Sequence, residues 1–211
     1  MIEKIGPYYE RPGDGFRDRY DRGQVCEGLV PYSGETAVQR LKIAAVGGSA
    51  DPDPWYRIVE ADLRGIRNSE ADPELGLERG EALIVREAKS RRVIILSGRP
   101  ASWSGSENVY LVAPIYRFQA RDSEDLRSRI KAYAYNTLFY LPGSEEHEMY
   151  EGYARLDRVQ PVNATLLEHK PVRLTQAGLD CLTLWYGGFV TQTVPRRIEP
   201  YRDEALRQLR S

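Results

Sequence analysis

Apolar positions in this 211-residue chain gather into short runs separated by Gly, Pro and charged clusters, a pattern that favours strands over long helices. The densest runs are 93–96 (VIIL) and 109–115 (VYLVAPI). Both are rich in β-branched residues and bounded by polar or turn residues, as expected of strands buried on two faces, and they predict the centre of a sheet. Further strands are predicted at 81–85 (EALIV), 24–32 (QVCEGLVPY) and 55–63 (WYRIVEADL), while 36–46 (TAVQRLKIAAV) suits a short helix or a strand. Residues 1–20, rich in Gly, Pro, Tyr and Arg without period, predict an irregular arm. Residues 47–54 (GGSADPDP) predict a loop and 64–80 a polar connector.

Downstream the period changes. Leu126, Ile130 and Tyr133 or Ala134 recur at helical spacing within 122–135, with Asp122 or Ser123 as the cap and acids in the first turn. Residues 136–141 (NTLFYL) predict a strand stopped by Pro142 and Gly143, and 150–162 (YEGYARLDRVQPV) its antiparallel partner across an acidic loop. A turn and short helix are expected at 163–171. A longer helix then starts at the Thr175 cap, with Leu179, Leu182 or Thr183 and Tyr186 on one face and Gly187 and Gly188 as its stop. A last helix is expected around 203–209. The class is mainly β with helices, an α+β fold with one core and elaborations.

Composition narrows the chemistry. With 41% hydrophobic and 29% charged residues and no apolar run near the roughly 20 residues of a membrane span, the expectation is a protein that does not cross a membrane. The first 15 residues carry no apolar signal-peptide region, so a cytoplasmic location is expected. Cys26 and Cys181 lie far apart and read as reduced, buried residues. His147 and His169 read as solvated loop histidines. The acids Glu145, Glu146, Glu148 and Glu151 form a run without the fixed geometry that Mg²⁺ demands, so neither a metal nor a cofactor is expected. The formal net charge is −1, yet between residues 86 and 99 five basic side chains (Arg86, Lys89, Arg91, Arg92 and Arg99) face one acid, Glu87. An anion would therefore bind at one place.

Four short motifs occur in order: ERGE at 78–81, RRVIILS at 91–97, VAPIY at 112–116 and EGYARLDRV at 151–159. In this set the chain resembles the MazF/PemK-type endoribonuclease toxins over about residues 78–190. The resemblance implies an SH3-like barrel with a C-terminal helix over 78–211, and residues 1–77 as an N-terminal extension or insertion packed on it. It also implies homodimeric, metal-independent cleavage of single-stranded RNA, restrained by an antitoxin protein.

On that reading Arg92 is the cation for the phosphorane charge, because a guanidinium presents bidentate donors and stays charged. Tyr116 is its catalytic companion, donating to the phosphate or stacking on a base. Arg86, Lys89, Arg91 and Arg99 would line the RNA groove, and Trp103 would stack on a base. Two positions depart from the family pattern: Val93 stands where Pro is usual, and Tyr116 where a small Thr or Ser hydroxyl is usual. If 81–85 is the first barrel strand, the following loop (REAKSRR) is short for the family; alternatively Arg22, Gly23 and Gln24 begin that strand and 33–80 is one long insertion. The large Tyr116 phenol also leaves room for another function, a catalytically silent module on the same barrel that binds a protein or nucleic-acid partner.

Overall fold

The computed structural model describes residues 7–17, 19–31, 39–43, 56–60, 71, 73, 76–79, 81, 84–85, 88–98 and 108–209. The strands in chain order are β1 (Tyr9–Glu10), β2 (Gln24–Pro31), β3 (Gln39–Ile43), β4 (Tyr56–Glu60), β5 (Ile84–Val85), β6 (Ala88–Ile95), β7 (Val109–Arg117), β8 (Leu138–Leu141), β9 (Gly152–Arg155), β10 (Gln160–Asn163) and β11 (Leu167–Leu174). The helices are α1 (Glu124–Lys131), α2 (Gln176–Thr191) and α3 (Glu199–Gln208). The fold is thus mixed strand and helix.

The chain divides into two compact units, one of residues 1–30 and 90–211 and the other of residues 31–89. In the second unit β4, β3 and β5 form a three-stranded antiparallel sheet, so the described part of the ambiguous segment 36–46, residues 39–43, is a strand and not a helix. The boundary expected at residue 77 falls inside this unit. β2 lies next to β6 in the main sheet.

The main sheet has eight strands in the order β1, β11, β2, β6, β7, β9, β8, with β10 also paired to β7. β6 and β7 hold its centre, as their apolar runs predict. β7 divides one edge between two partners: Val109 to Val112 pair with β10, and Ile115 to Arg117 pair with β9. β10 then passes through a 3-10 turn, Ala164–Leu166, into β11, which pairs with β2 on the other side of β6. The sheet therefore curls back on itself. Two apolar clusters result, one on each face of the central strands. Cys26, Val93, Ile95, Val112 and Val162 form one, and Ile94, Ala113, Phe139, Leu182 and Trp185 belong to the other. Burying each large side chain contributes about 1.5–3 kcal/mol.

Several expectations change here. The segment 150–162 is not one strand: a 3-10 turn, Leu156–Arg158, separates β9 from β10, and this break lets one chain segment reach both halves of the β7 edge. In 163–171 the expected turn and short helix are the 3-10 turn Ala164–Leu166, whereas from Leu167 the chain is strand β11, which absorbs its sequence irregularity in a register shift between His169 and Arg173. An irregular arm can wrap the domain or stay loose, and its described part does the former: Tyr8 and Tyr9 are buried, β1 pairs with β11, and the Tyr9 hydroxyl donates to the Pro142 carbonyl at 2.8 Å.

The helices follow their caps. Ser123 accepts from the Leu126 N–H at 3.2 Å to start α1, and Thr175 accepts from the Gly178 N–H at 3.3 Å to start α2. α2 buries Leu182 and Trp185 against the sheet, and the Trp185 indole donates to the Leu138 carbonyl at 3.0 Å. It runs through Gly187 and Gly188 to a left-handed Gln192 (φ 58°). Gly188 is a packing residue and not a stop: a Cβ there would lie 2.6 Å from the Thr193 carbonyl oxygen and 2.8 Å from Pro195 Cδ. α3 begins at Glu199, four residues before the expected start. Among the described residues no helix is long and apolar enough to cross a membrane.

Candidate functional site

β6 begins in the basic junction, so Lys89, Arg91 and Arg92 are strand residues and not a loop. Along this strand burial rises from exposed Ala88, Lys89 and Ser90, through half-buried Arg91 and Arg92, to fully buried Val93, Ile94 and Ile95. The arginines thus stand where the core ends, with apolar stems that can lie on the sheet and charged heads at its edge.

Alternation assigns their faces. Val93 pairs with Pro114 and Ile94 with Ala113. Arg92 therefore shares the face of Ile94 and Ile115, while Arg91 shares the opposite face with Val93, Pro114 and Tyr116. The contacts agree. The Arg91 guanidinium lies 4.6 Å from the Tyr116 ring centroid, and Arg92 lies 4.9 Å from that of Tyr150. The two expected catalytic residues, Arg92 and Tyr116, are consequently not brought together.

The Arg92 side is a groove of about 360 Å³. Arg92 and Arg117 supply its positive charge, Arg91, Glu27 and Ser90 border it, and Ile115 and Met149 give it an apolar lining. Tyr150, 53% exposed, is approached by two guanidinium groups, Arg92 and Arg117 (4.4 Å). Each such cation–π contact contributes about 0.5–1 kcal/mol at an exposed site, enough to hold both arginines near one another despite their like charge. Among the described residues none of the three groove arginines has an ion-pair partner, and the Glu27 carboxylate is engaged by the Ser90 hydroxyl at 2.9 Å.

Arg92 is fixed from behind. Its Nη1 donates to the Glu148 carbonyl and lies 3.7 Å from Met149 Sδ. Glu148 is a left-handed residue (φ 51°) in the acidic loop, and that loop is closed by paired backbone bonds of 2.8 Å between Ser144 and Met149. The acidic segment is therefore a built turn that holds an arginine by a carbonyl, while the side chains of Glu145, Glu146 and Glu148 stay exposed. Its strained residue costs some free energy, which the closing bonds and Arg92 offset.

The Tyr116 side is an aromatic stack. Tyr116 pairs with Tyr153 across β7 and β9, their rings 5.9 Å apart and nearly parallel (10°), and Phe118 tilts against Tyr153 at 5.6 Å. Arg155 reaches the Tyr116 ring at 6.0 Å and binds Asp157 through two bonds of 2.9 and 2.5 Å. The hydrogen bond from Arg155 is the main reason that the Asp157 carboxyl is held below the usual range. Burial pushes the Tyr153 phenol up.

β7 and β9 meet closely here, because a Cβ on Gly152 would sit 2.0 Å from the Tyr116 carbonyl oxygen. Beside this contact, burial would raise the Glu151 carboxyl, but hydrogen bonds from Lys131 (2.8 Å) and Tyr140 (2.6 Å) outweigh it and lower its pKa.

Of the other expected RNA contacts, Lys89 is exposed on β6, whereas Arg86, Arg99 and Trp103 lie outside the described residues. His169 is no solvated histidine: its ring stacks on Tyr20 at 3.9 Å and 2°, and Nδ1 meets the Gln24 amide at 2.8 Å. Cys26 is fully buried, and burial pushes its thiol up to about 12. Among the described residues no group of three or more His, Cys, Asp or Glu could hold a metal ion. The groove residues that sequence reasoning did not single out are Glu27, Arg117 and Tyr150. They come from β2, β7 and the turn before β9, and no spacing in the sequence relates them.

No protein-family model matches the chain, and no curated protein matches it.

Proposed function

We propose that this chain is a MazF/PemK-like barrel of SH3-like topology that binds single-stranded RNA in the groove of Arg92 and Arg117. The observation that carries the reading is the convergence of two guanidinium groups, Arg92 and Arg117, on the ring of Tyr150, neither with an ion-pair partner among the described residues. Such a cluster attracts phosphate, and the guanidinium fork matches phosphate oxygens bidentately. The fold part rests on the strand order β11, β2, β6, β7, β10 and the single 3-10 turn joining β10 to β11, a connectivity suited to a small closed barrel. Fluorescence anisotropy with a labelled mixed-sequence RNA tests it. Arg92→Ala and Arg117→Ala should each weaken binding, and equal affinity of wild type and both variants would remove the reading.

A second reading, metal-independent endoribonuclease, is favoured by Glu27. Its carboxylate shares the groove with the arginines, so it would take the proton of a 2′-hydroxyl as that oxygen attacks the phosphorus. The guanidinium groups would hold the phosphorane charge, and the 5′-oxygen would leave with a proton from water. In this version Arg92 keeps the catalytic role and Tyr116 has none. The same version makes the chain a homodimeric toxin restrained by an antitoxin protein. Glu27→Gln should then abolish RNA cleavage while preserving affinity, whereas intact RNA after incubation with wild-type protein would leave the binding function alone.

A further inference from the structure

Arg92 also walls a second, smaller cavity of about 180 Å³, bordered by Arg11, His147 and Lys170 and by the carboxylates Glu146 and Glu148. β1 and β11 build its cationic side. Their antiparallel pairing, Tyr9 with Leu174 and Glu10 with Arg173, brings the residue after β1, Arg11, towards the stretch of β11 that carries Lys170. The closed turn 144–149 builds the opposite side and presents His147. The Ser144 hydroxyl lies 3.0 Å from Nδ1, and where it donates to that nitrogen the ring proton sits on Nε2, a donor.

Size and charge select the ligand. At about 30 Å³ per water the cavity holds roughly six waters, below the ~300–1,000 Å³ typical of pockets for larger organic ligands. It suits a hydrated phosphate and not a nucleoside. Arg11 has no ion-pair partner among the described residues, and Lys170 makes only an exposed contact with Glu168 at 3.1 Å, which contributes little. Glu146 and Glu148 offset part of the positive charge, but the three cations Arg11, Arg92 and Lys170 outnumber them and leave the cavity net positive. A phosphomonoester, at about −1.5 to −2 near neutrality and with three acceptor oxygens, fits this better than a singly charged internal diester.

We propose that this cavity is a subsite for the terminal phosphate of an RNA strand whose following phosphates lie in the larger groove, with Arg92 between the two. The proposal rests on the RNA-binding reading, and its test separates them. Three otherwise identical RNAs, ending in hydroxyls, in a 5′-phosphate or in a 3′-phosphate, are titrated against wild-type protein and the Arg11→Gln/Lys170→Gln double variant. Thermal melts check that the variant is folded.

One phosphorylated end should bind about tenfold tighter than the hydroxyl-ended RNA. The double variant should lose that gain and keep its affinity for the hydroxyl-ended strand within about twofold. Equal affinity of all three RNAs for wild-type protein overturns the subsite and leaves RNA binding standing. An equal loss for all three in the variant also overturns it, by assigning the cavity to internal phosphates. If no RNA binds, the RNA reading fails and calorimetry with inorganic phosphate decides. Binding to wild type that the variant loses keeps the phosphate site; absent or unchanged binding removes it.

Discussion

Arg92 and Tyr116 lie on neighbouring strands and project from opposite faces of the sheet. Arg92 shares its face with Ile94 and Ile115, whereas Tyr116 shares the other with Val93 and Pro114. A catalytic pair built from these two side chains would need the sheet between them removed. Arg92→Ala should weaken RNA binding about tenfold, the scale of one charged hydrogen bond, and should reduce the salt slope by about 0.7 for one lost phosphate contact. Tyr116→Phe should leave affinity within about twofold, since only the phenol oxygen is removed. Anisotropy titrations across a salt series measure both, and a larger loss for Tyr116→Phe than for Arg92→Ala would reverse the assignment.

Tyr150 acts through the arginines that it carries. Tyr150→Ala removes two cation–π contacts of about 0.5–1 kcal/mol each, so affinity should fall by about five- to thirtyfold where that energy positions the arginines for RNA. Tyr150→Phe keeps the ring and should bind nearly as wild type. A loss in the Phe variant equal to that in Ala would show that the phenol oxygen, and not the ring, contributes the affinity.

Two glycines are expected to tolerate no side chain. Gly152→Ala drives a Cβ into the Tyr116 carbonyl, and Gly188→Ala drives one into the Thr193 carbonyl and the Pro195 ring. Backbone atoms cannot yield as a flexible side chain does, so each should cost about 3 kcal/mol or more. Urea unfolding of both variants provides the measurement; wild-type midpoints would contradict the close approaches.

Acid should destabilise the fold through Asp157 and Glu151. Both carboxyls are held below their usual range in the folded state, so their contribution is present above the unfolded values, about 3.9 and 4.3, and is lost as pH falls through the lower folded ones. Unfolding free energy should therefore be level above about pH 5 and decline below about pH 4. Asp157→Asn and Glu151→Gln should each flatten part of that decline. An acid limb identical to wild type in both variants would assign it to other carboxylates.

The sequence was informative wherever a feature is local. The runs 93–96 and 109–115 are the central strands because β-branched residues buried on both faces leave few alternatives, and the caps Ser123 and Thr175 start α1 and α2 because the bond that each makes spans three residues. The strand pair β8 and β9 was legible in Pro142 and Gly143 between two apolar runs.

Elsewhere local pattern misled. Gly187 and Gly188 read as a helix stop because glycine is cheap at a helix end, but a glycine that packs against Thr193 and Pro195 has the same composition. β11 was hidden because Pro171 and the register shift break its alternation, while its partner β2 lies more than a hundred residues away.

The candidate site divides in the same way. Charge along the chain pointed to Arg91 and Arg92, since five basic residues against one acid is a property of composition alone. The sequence determined, by itself, that a basic edge adjoins the core strands. Tertiary structure alone decided that Arg92 faces Arg117 and Tyr150 instead of Tyr116, and that Glu27 borders the same groove. Side-chain direction depends on strand register, and register is set by pairing between segments that the sequence keeps apart.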